Sequence, residues 1–357
     1  MAPRLPLPDS VARVAERAAL EAFGLLQVGR AGVLRPEPPN RALAAARAVR
    51  AYGALGGAVG AAAARHPDRV ALVDERGQLT YRELDRRSHA IARAWRDRGV
   101  GEDATVGILA RNHRGFADAL LAAAKLGARV LLLNTDFAGP QLRDVGAREG
   151  ITLLVHDEEY AGLVSLVDAS HGHVVAWTDG EAPEGSLEAL ARGDAAPVPA
   201  PEREARVVLL TSGTTGTPKG APRSDPRSLV PLGALLSKVP VRAGQTTVLA
   251  VPAFHALGLA HLGLGLGFGC TLVLRRRFHP QTALQDVARH RAQMLVVVPV
   301  MLRRMLDARD GEDVSSLRIV FCGGAQLEAP LASRALRELG DVVYNLYGST
   351  EVAWATI

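Results

Sequence analysis

The sequence predicts an α/β fold of two layered α/β units with largely parallel sheets, and three observations carry that prediction. Short apolar runs recur along nearly the whole chain after residue 68. Segments of helical periodicity lie between them, as parallel strand connections require. The runs lack polar alternation, which marks strands covered on both faces.

Bulk composition agrees. At 357 residues, 48% hydrophobic and 22% charged, the chain can bury a substantial core in two or three folding units. The net charge of +5 is carried almost wholly by Arg, since lysine occurs only at Lys125, Lys219 and Lys238. Aromatics make up 4% and do not interleave with basic residues, which excludes a nucleic-acid stacking platform and leaves anionic small molecules as the partner class. The two cysteines, Cys270 and Cys322, sit in apolar runs without metal-knuckle or redox spacing. Buried, reduced thiols in a cytoplasmic protein are expected. Pro3, Pro6, Pro8 and Asp9 interrupt the N-terminus and argue against a secretory leader.

The elements follow in order. Residues 1–60 read as an N-terminal helical arm with amphipathic helices near 10–27 and 40–53, packed on the main body. Arg and apolar residues alternate there at a spacing that also suits peripheral contact with a membrane surface. A strand at 70–73 precedes a helix opened by the capping box Thr80 to Glu83. Further strands are expected at 105–109, 130–133, 153–155, 174–177, 207–210, 248–251, 271–274, 295–298, 319–321 and 342–343, with helices such as 116–126, 281–291 and 331–339 between them. A connector rich in Pro, Gly and acidic residues, about 180–204, divides a unit at 61–180 from one at 205–357. Residues 256–274 carry no charge and are long enough to span a bilayer. Gly263, Gly265, Gly267 and Gly269 oppose a single helix, so the stretch reads as helix, turn and strand.

The segment richest in chemistry follows the 207–210 run: Thr211, Ser212, Gly213, Thr214, Thr215, Gly216, Thr217, Pro218, Lys219, Gly220. Glycines let the backbone turn so that successive N–H groups converge on an anion, hydroxyls add donors, and Lys219 adds a point charge. At the carboxyl end of a strand, such a loop suits a polyphosphate. A Walker-type loop is excluded, because Pro218 precedes Lys219 and Gly220 follows it where a Ser or Thr is required.

TSGTTGTPKG resembles the phosphate loop of the adenylate-forming (AMP-binding) superfamily, which includes acyl-CoA synthetases, peptide-synthetase adenylation domains and luciferases. Four further segments resemble the family in order: LTYRELDRRS (79–88), PAFHALG (252–258), CGGAQL (322–327) and YNLYGSTE (344–351). The resemblance covers residues from about 60 onward and is to acyl-CoA synthetases of the fatty-acid-CoA ligase kind. It implies ATP-dependent activation of a carboxylic, expected fatty, acid to acyl-AMP and then acyl-CoA, with ATP and CoA as co-substrates and Mg²⁺ as the metal.

By the same resemblance, Thr211, Ser212, Gly213, Thr214, Thr215, Gly216 and Lys219 hold the ATP phosphates. Gly323, Gly324, Ala325, Asn345 and Tyr347 line the adenine site, where Tyr347 can stack on the base. His255, Gly258 and Gly348 face the acid. Thr350 and Glu351 act in catalysis with His255, and Glu351 with Thr211 serves Mg²⁺ as hard oxygen ligands. A histidine at 255, where peptide-synthetase relatives carry an Asp nearby, favours an acyl or aryl acid over an amino acid. The family's ribose-binding Asp and small C-terminal domain, with its catalytic lysine, are not matched by any segment here, so an incomplete form is expected. A non-catalytic nucleotide-binding scaffold and an amino-acid-activating domain stand as alternatives. Two lesser patterns are read as coincidence and as a solvated surface run: His113 with Asp118, at the H-x4-D spacing of acyltransferases, and the triplet Arg275 to Arg277.

Overall fold

The computed structural model describes residues 9–211, 219–223 and 228–348. The arm holds α1 (Asp9–Arg30) and α2 (Pro39–Arg65). A hairpin of β1 (Val70–Asp74) and β2 (Gly77–Thr80) leads into α3 (Tyr81–Asp97). Alternation follows through β3 (Thr105–Leu109), α4 (Arg114–Lys125), β4 (Arg129–Leu132), α5 (Gly139–Glu149), β5 (Leu153–Asp157), α6 (Ala161–Val164), β6 (His173–Trp177) and α7 (Leu187–Leu190). Then come β7 (Arg206–Thr211), β8 (Lys219–Arg223), α8 (Val230–Lys238), β9 (Thr246–Leu249), α9 (Ala256–Gly267), β10 (Thr271–Leu274), α10 (Pro280–Arg289) and β11 (Met294–Val297). The described chain closes with α11 (Pro299–Ala308), β12 (Ile319–Gly323), α12 (Ala329–Leu339) and β13 (Val343–Leu346).

These strands form a seven-stranded sheet, ordered β13-β12-β11-β9-β10-β1-β2, and a six-stranded sheet, ordered β6-β5-β3-β4-β7-β8. Only the edge pairs β1/β2 and β7/β8 are antiparallel. The strand residues explain the layering. Alternate positions, Val106 and Ile108 on β3, Val130 and Leu132 on β4, and Ile319 and Phe321 on β12, enter one core shared between the sheets. The positions between them face outward. Leu295, Val297 and Val320 pack under α10 to α12, and Leu131 and Leu154 pack with Leu142 and Val145 of α5. Both faces of each sheet are thus covered, which is why the strands read as unbroken apolar runs.

Strand pairing crosses the expected division at the connector. β1 and β2, from the first half, complete the seven-stranded sheet through Leu72 opposite Leu272. β7 and β8, from the second half, complete the other sheet beside β4. Sequence order groups neighbours along the chain, whereas the two sheets exchange their edge strands.

Local expectations meet their causes. Thr80 Oγ1 accepts from Glu83 N at 3.2 Å while Thr80 N donates to Glu83 Oε2 at 2.7 Å, the capping box. The uncharged stretch divides into α9 and β10, and no described helix is long and apolar enough to cross a membrane. The second arm helix runs past residue 53: Gly53 leaves helical geometry at φ 70°, and the chain resumes as helix to Arg65. Both cysteines are free and buried. Burial pushes the Cys270 thiol up to about 11 and Cys322 to about 12, so neither is a ready nucleophile.

The two lesser patterns resolve into structure. His113 caps α4, accepting from Gly115 N at Nδ1, and its Nε2 meets Asp157 at 2.7 Å. Asp118 pairs instead with Arg87 at 2.7 Å, so the two residues form no constellation. The arginine triplet is no solvated run. Arg275 pairs with buried Asp286 at 2.6 Å, while Arg276 and Arg277 reach Glu159 at 3.0 and 2.8 Å. With the Arg76 and Arg276 guanidinium groups 4.1 and 5.2 Å from the Trp177 ring, this cluster fastens the two sheets together.

Candidate active site

The phosphate-loop motif begins with Thr211, the last residue of β7, and ends with Lys219 and Gly220, the first residues of β8. β7 runs parallel to β4, and the chain turns back with Lys219 opposite Thr211 and Gly220 opposite Leu210. A strand rather than a helix follows the loop, which separates it structurally from a Walker loop. Ser212, Gly213, Thr214, Thr215 and Gly216 lie outside the described residues, as do Thr350 and Glu351, and Thr211 and Lys219 are described as backbone only.

The adenine expectation falls on two neighbouring strand ends. Cys322 pairs with Asn345 and Gly323 with Leu346, so the CGG turn and the YNLYG segment leave the sheet side by side. Gly323 packs so close that a Cβ there would sit 3.2 Å from Leu346 Cβ, and Gly324 turns at φ 83°. Gly324, Ala325 and Asn345 are exposed, Tyr347 is 72% exposed, and Gly348 is also exposed. The arrangement brings the exposed Gly324 backbone, behind buried Gly323, and the exposed Tyr347 ring to the same end of the sheet. A flat base needs both features.

His255 stands on the loop between β9 and α9, at the N-cap of the helix, with its ring exposed and 4.4 Å from that of buried Phe254. The protein packed beside the ring strips it of part of its water even though the residue reaches the surface, which lowers its pKa, and the Asp136 carboxylate opposes that shift. Asp136 comes from the loop after β4, so an acidic group acts on His255 after all, from the other sheet. Gly258 has a packing cause of its own: a Cβ there would lie 2.1 Å from Pro252 O. Downstream, Gly265 is pressed against Leu272, whereas Gly263 and Gly267 have open space beside them.

Sequence reasoning missed Asn112. Its buried amide donates to Val251 O at 2.8 Å and accepts from Ala253 N at 2.7 Å, clamping the loop that carries His255. The clamp reaches from the end of β3 across to the other sheet. The one signal in the sequence is an amide side chain three residues past the end of an apolar strand. Lys125, by contrast, is fully buried against Asp85 at 2.7 Å and Ser88 at 2.8 Å, a structural ion pair.

Among the described residues no group of three or more His, Cys, Asp or Glu could hold a metal ion. The Mg²⁺ expectation rests on Glu351 and Thr211, whose side chains are outside the description.

Comparison with known proteins gives the same picture. Residues 59–357 match the AMP-binding enzyme family. The chain is 32% identical over 278 residues to feruloyl-CoA synthase of an Amycolatopsis species, covering 77% of this chain and 55% of that protein. It is 30% identical over 293 residues to 2-succinylbenzoate–CoA ligase of Geobacillus kaustophilus, covering 80% and 56%. Among solved structures it resembles O-succinylbenzoate coenzyme A synthetase of Bacillus subtilis in complex with AMP, with a TM-score of 0.70 at 25% identity, covering 84% of this chain and 75% of that one. The chain spans about half the length of the curated relatives it matches.

Proposed function

Because the chain belongs to the AMP-binding enzyme family, we propose that its protein is an AMP-forming acid–CoA ligase acting on an aryl or acyl carboxylic acid. The two curated relatives reported above are acid–CoA ligases, both with aromatic acids in their names. The observation that carries the reading is the joined end of β12 and β13, which brings Gly323, Gly324 and exposed Tyr347 to neighbouring strand ends, where a base would stack on the ring.

In the proposed reaction a carboxylate oxygen attacks the α-phosphorus of ATP, and the bond to the leaving pyrophosphate breaks. The CoA sulfur then attacks the acyl carbon, and AMP leaves with the electron pair. The chain's part in the first step is positioning and charge neutralisation. Backbone N–H groups and hydroxyls of the loop at residues 211–219 hold the phosphates, with the Lys219 ammonium offsetting their charge. Thr350 donates to the α-phosphate, and His255 orients the carboxylate. Magnesium, held by Glu351 and Thr211, would supply Lewis-acid stabilisation of the phosphates. Peripheral contact with a membrane surface through α1 belongs to the same reading, since Phe23, Leu25 and Leu26 of that helix are exposed.

Calorimetric titration with a non-hydrolysable acyl-sulfamoyl adenosine tests the site. Binding with a Thr350→Ala loss of about tenfold, one hydrogen bond to the anionic sulfamoyl group that stands where the α-phosphate does, is expected. Equal affinity for the variant, or no binding to either protein, contradicts the assignment. An amino-acid-activating reading has one observation in its favour, Asp136 acting on His255. It predicts tighter binding of aminoacyl than of aryl analogues in the same titration.

A further inference from the structure

Asn112, three residues past the end of β3, stands where the two sheets meet, and no step of the proposed reaction uses it. Its side chain is 4% exposed. One amide grips the loop after β9 at two points: Nδ2 donates to Val251 O at 2.8 Å, and Oδ1 accepts from Ala253 N at 2.7 Å. That loop leaves the sheet at Ala250, whose N–H donates to Val296 O at 3.1 Å, and turns into α9 at His255, whose N–H donates to Pro252 O at 3.2 Å. Asn112 holds the stretch between.

The residues on either side of Asn112 fix it in turn. Asp157 of β5 accepts from Arg111 N at 2.9 Å and meets His113 Nε2 at 2.7 Å. Arg114 reaches Asp74 of β1 with its backbone N–H at 2.9 Å and its guanidinium at 2.6 Å. Both carboxylates and His113 are buried. Since β5 belongs to the six-stranded sheet and β1 to the seven-stranded one, Asn112 is braced against both. A buried polar network with its partners in place holds one arrangement.

The two halves of the site therefore have different supports. Gly323, Gly324 and Tyr347 stand at the ends of β12 and β13, which pair within the seven-stranded sheet. His255 follows β9 of that same sheet, yet the groups that act on its loop and ring come from the other: Asn112 after β3 and the Asp136 carboxylate after β4.

Resting on the acid-activating reading, we propose that Asn112 is a positioning residue that sets His255 against the acid, so that recognition of the acid depends on the contact between the sheets and recognition of AMP does not. A carboxamide suits the place because it offers a donor and an acceptor from one short planar group, which an ionised Asp or an Ala does not.

The test titrates this chain and its Asn112→Ala, His255→Ala and doubly substituted forms with AMP and with benzoyl-sulfamoyl adenosine. Asn112→Ala is expected to weaken the benzoyl analogue about tenfold, the worth of one hydrogen bond from a well-placed His255, while AMP affinity changes less than about twofold. In the His255→Ala background, Asn112→Ala should weaken the analogue no further, because the residue it acts through is gone. Equal losses for AMP and the analogue, or no loss for either, overturn the inference and leave Asn112 a support of the fold alone, with the acid-activating reading intact. A further tenfold loss in the double variant overturns it too. Failure of the unaltered chain to bind the analogue overturns that reading and this inference with it. Should Asn112→Ala fail to fold, Asn112→Asp, which keeps the shape and the bond from Ala253 N, carries the same comparisons.

Discussion

At the scale of single residues, the loop bearing His255 depends on Asn112 and Gly258. Truncating Asn112 to Ala withdraws two short hydrogen bonds, to Val251 O and Ala253 N, inside the protein. The expected loss is about 2–4 kcal/mol, two bonds plus groups left unmet in the interior. Denaturant melts check it. Gly258→Ala forces a Cβ to within 2.1 Å of Pro252 O, a backbone atom with no freedom to move aside. It should cost about 1–3 kcal/mol or more and weaken ligand binding by shifting the first turn of α9. Gly263→Ala, on the same helix with open space beside it, should gain up to about 1 kcal/mol in the same melts. Similar costs at 258 and 263 would mean that packing does not explain Gly258. His255, Gly323 and Tyr347 were legible in the sequence because each sits in a contiguous motif. Asn112 and Asp136 were not, since their partners stand on the other sheet, and no local pattern records a contact made 139 residues away.

At the scale of elements, what holds the strand ends together is charge. Burial alone would raise the Glu159 pKa, but Arg111, Arg276 and Arg277 outweigh it and hold the carboxyl at about 2, against 4.5 for a free glutamate. A depressed carboxylate lends stability that is fully present above pH 4.5 and lost as the pH falls toward 2. Acid unfolding followed by circular dichroism should therefore steepen below pH 4.5, and Glu159→Gln should flatten that part of the curve. An unchanged curve for the variant would show that other carboxylates govern acid stability. The arginine triplet hid this role because three like charges in a row look the same whether solvated or paired. For α1, the exposed Phe23 and Leu26 predict flotation with lipid vesicles that Phe23→Asp and Leu26→Asp together abolish. Retention of flotation by the double variant would exclude that face. The arm's first helix was readable from its periodicity. The continuation of the second past Gly53 was not, because a glycine with φ 70° looks in sequence like a stop.

At the scale of the whole molecule, the two sheets share one core and exchange edge strands, so neither half of the chain closes its own sheet. Alternation of apolar runs with helical segments made the parallel α/β class readable from the sequence. The exchange was not readable, because an apolar run such as 70–74 states that it is buried but not which strand lies beside it. That architecture brings the β9–α9 loop, the CGG turn and the end of β13 to the carboxyl edges of one sheet, where an open α/β sheet binds its ligand. The central claim, that this edge joins a carboxylic acid to AMP, is tested most directly by acid-dependent exchange of labelled pyrophosphate into ATP. The assay is run with this chain alone and with the second half of a curated relative added in trans. Exchange that requires an aryl or acyl acid and falls in Lys219→Ala is expected, whereas absence of acid-dependent exchange in both arrangements would rule that role out.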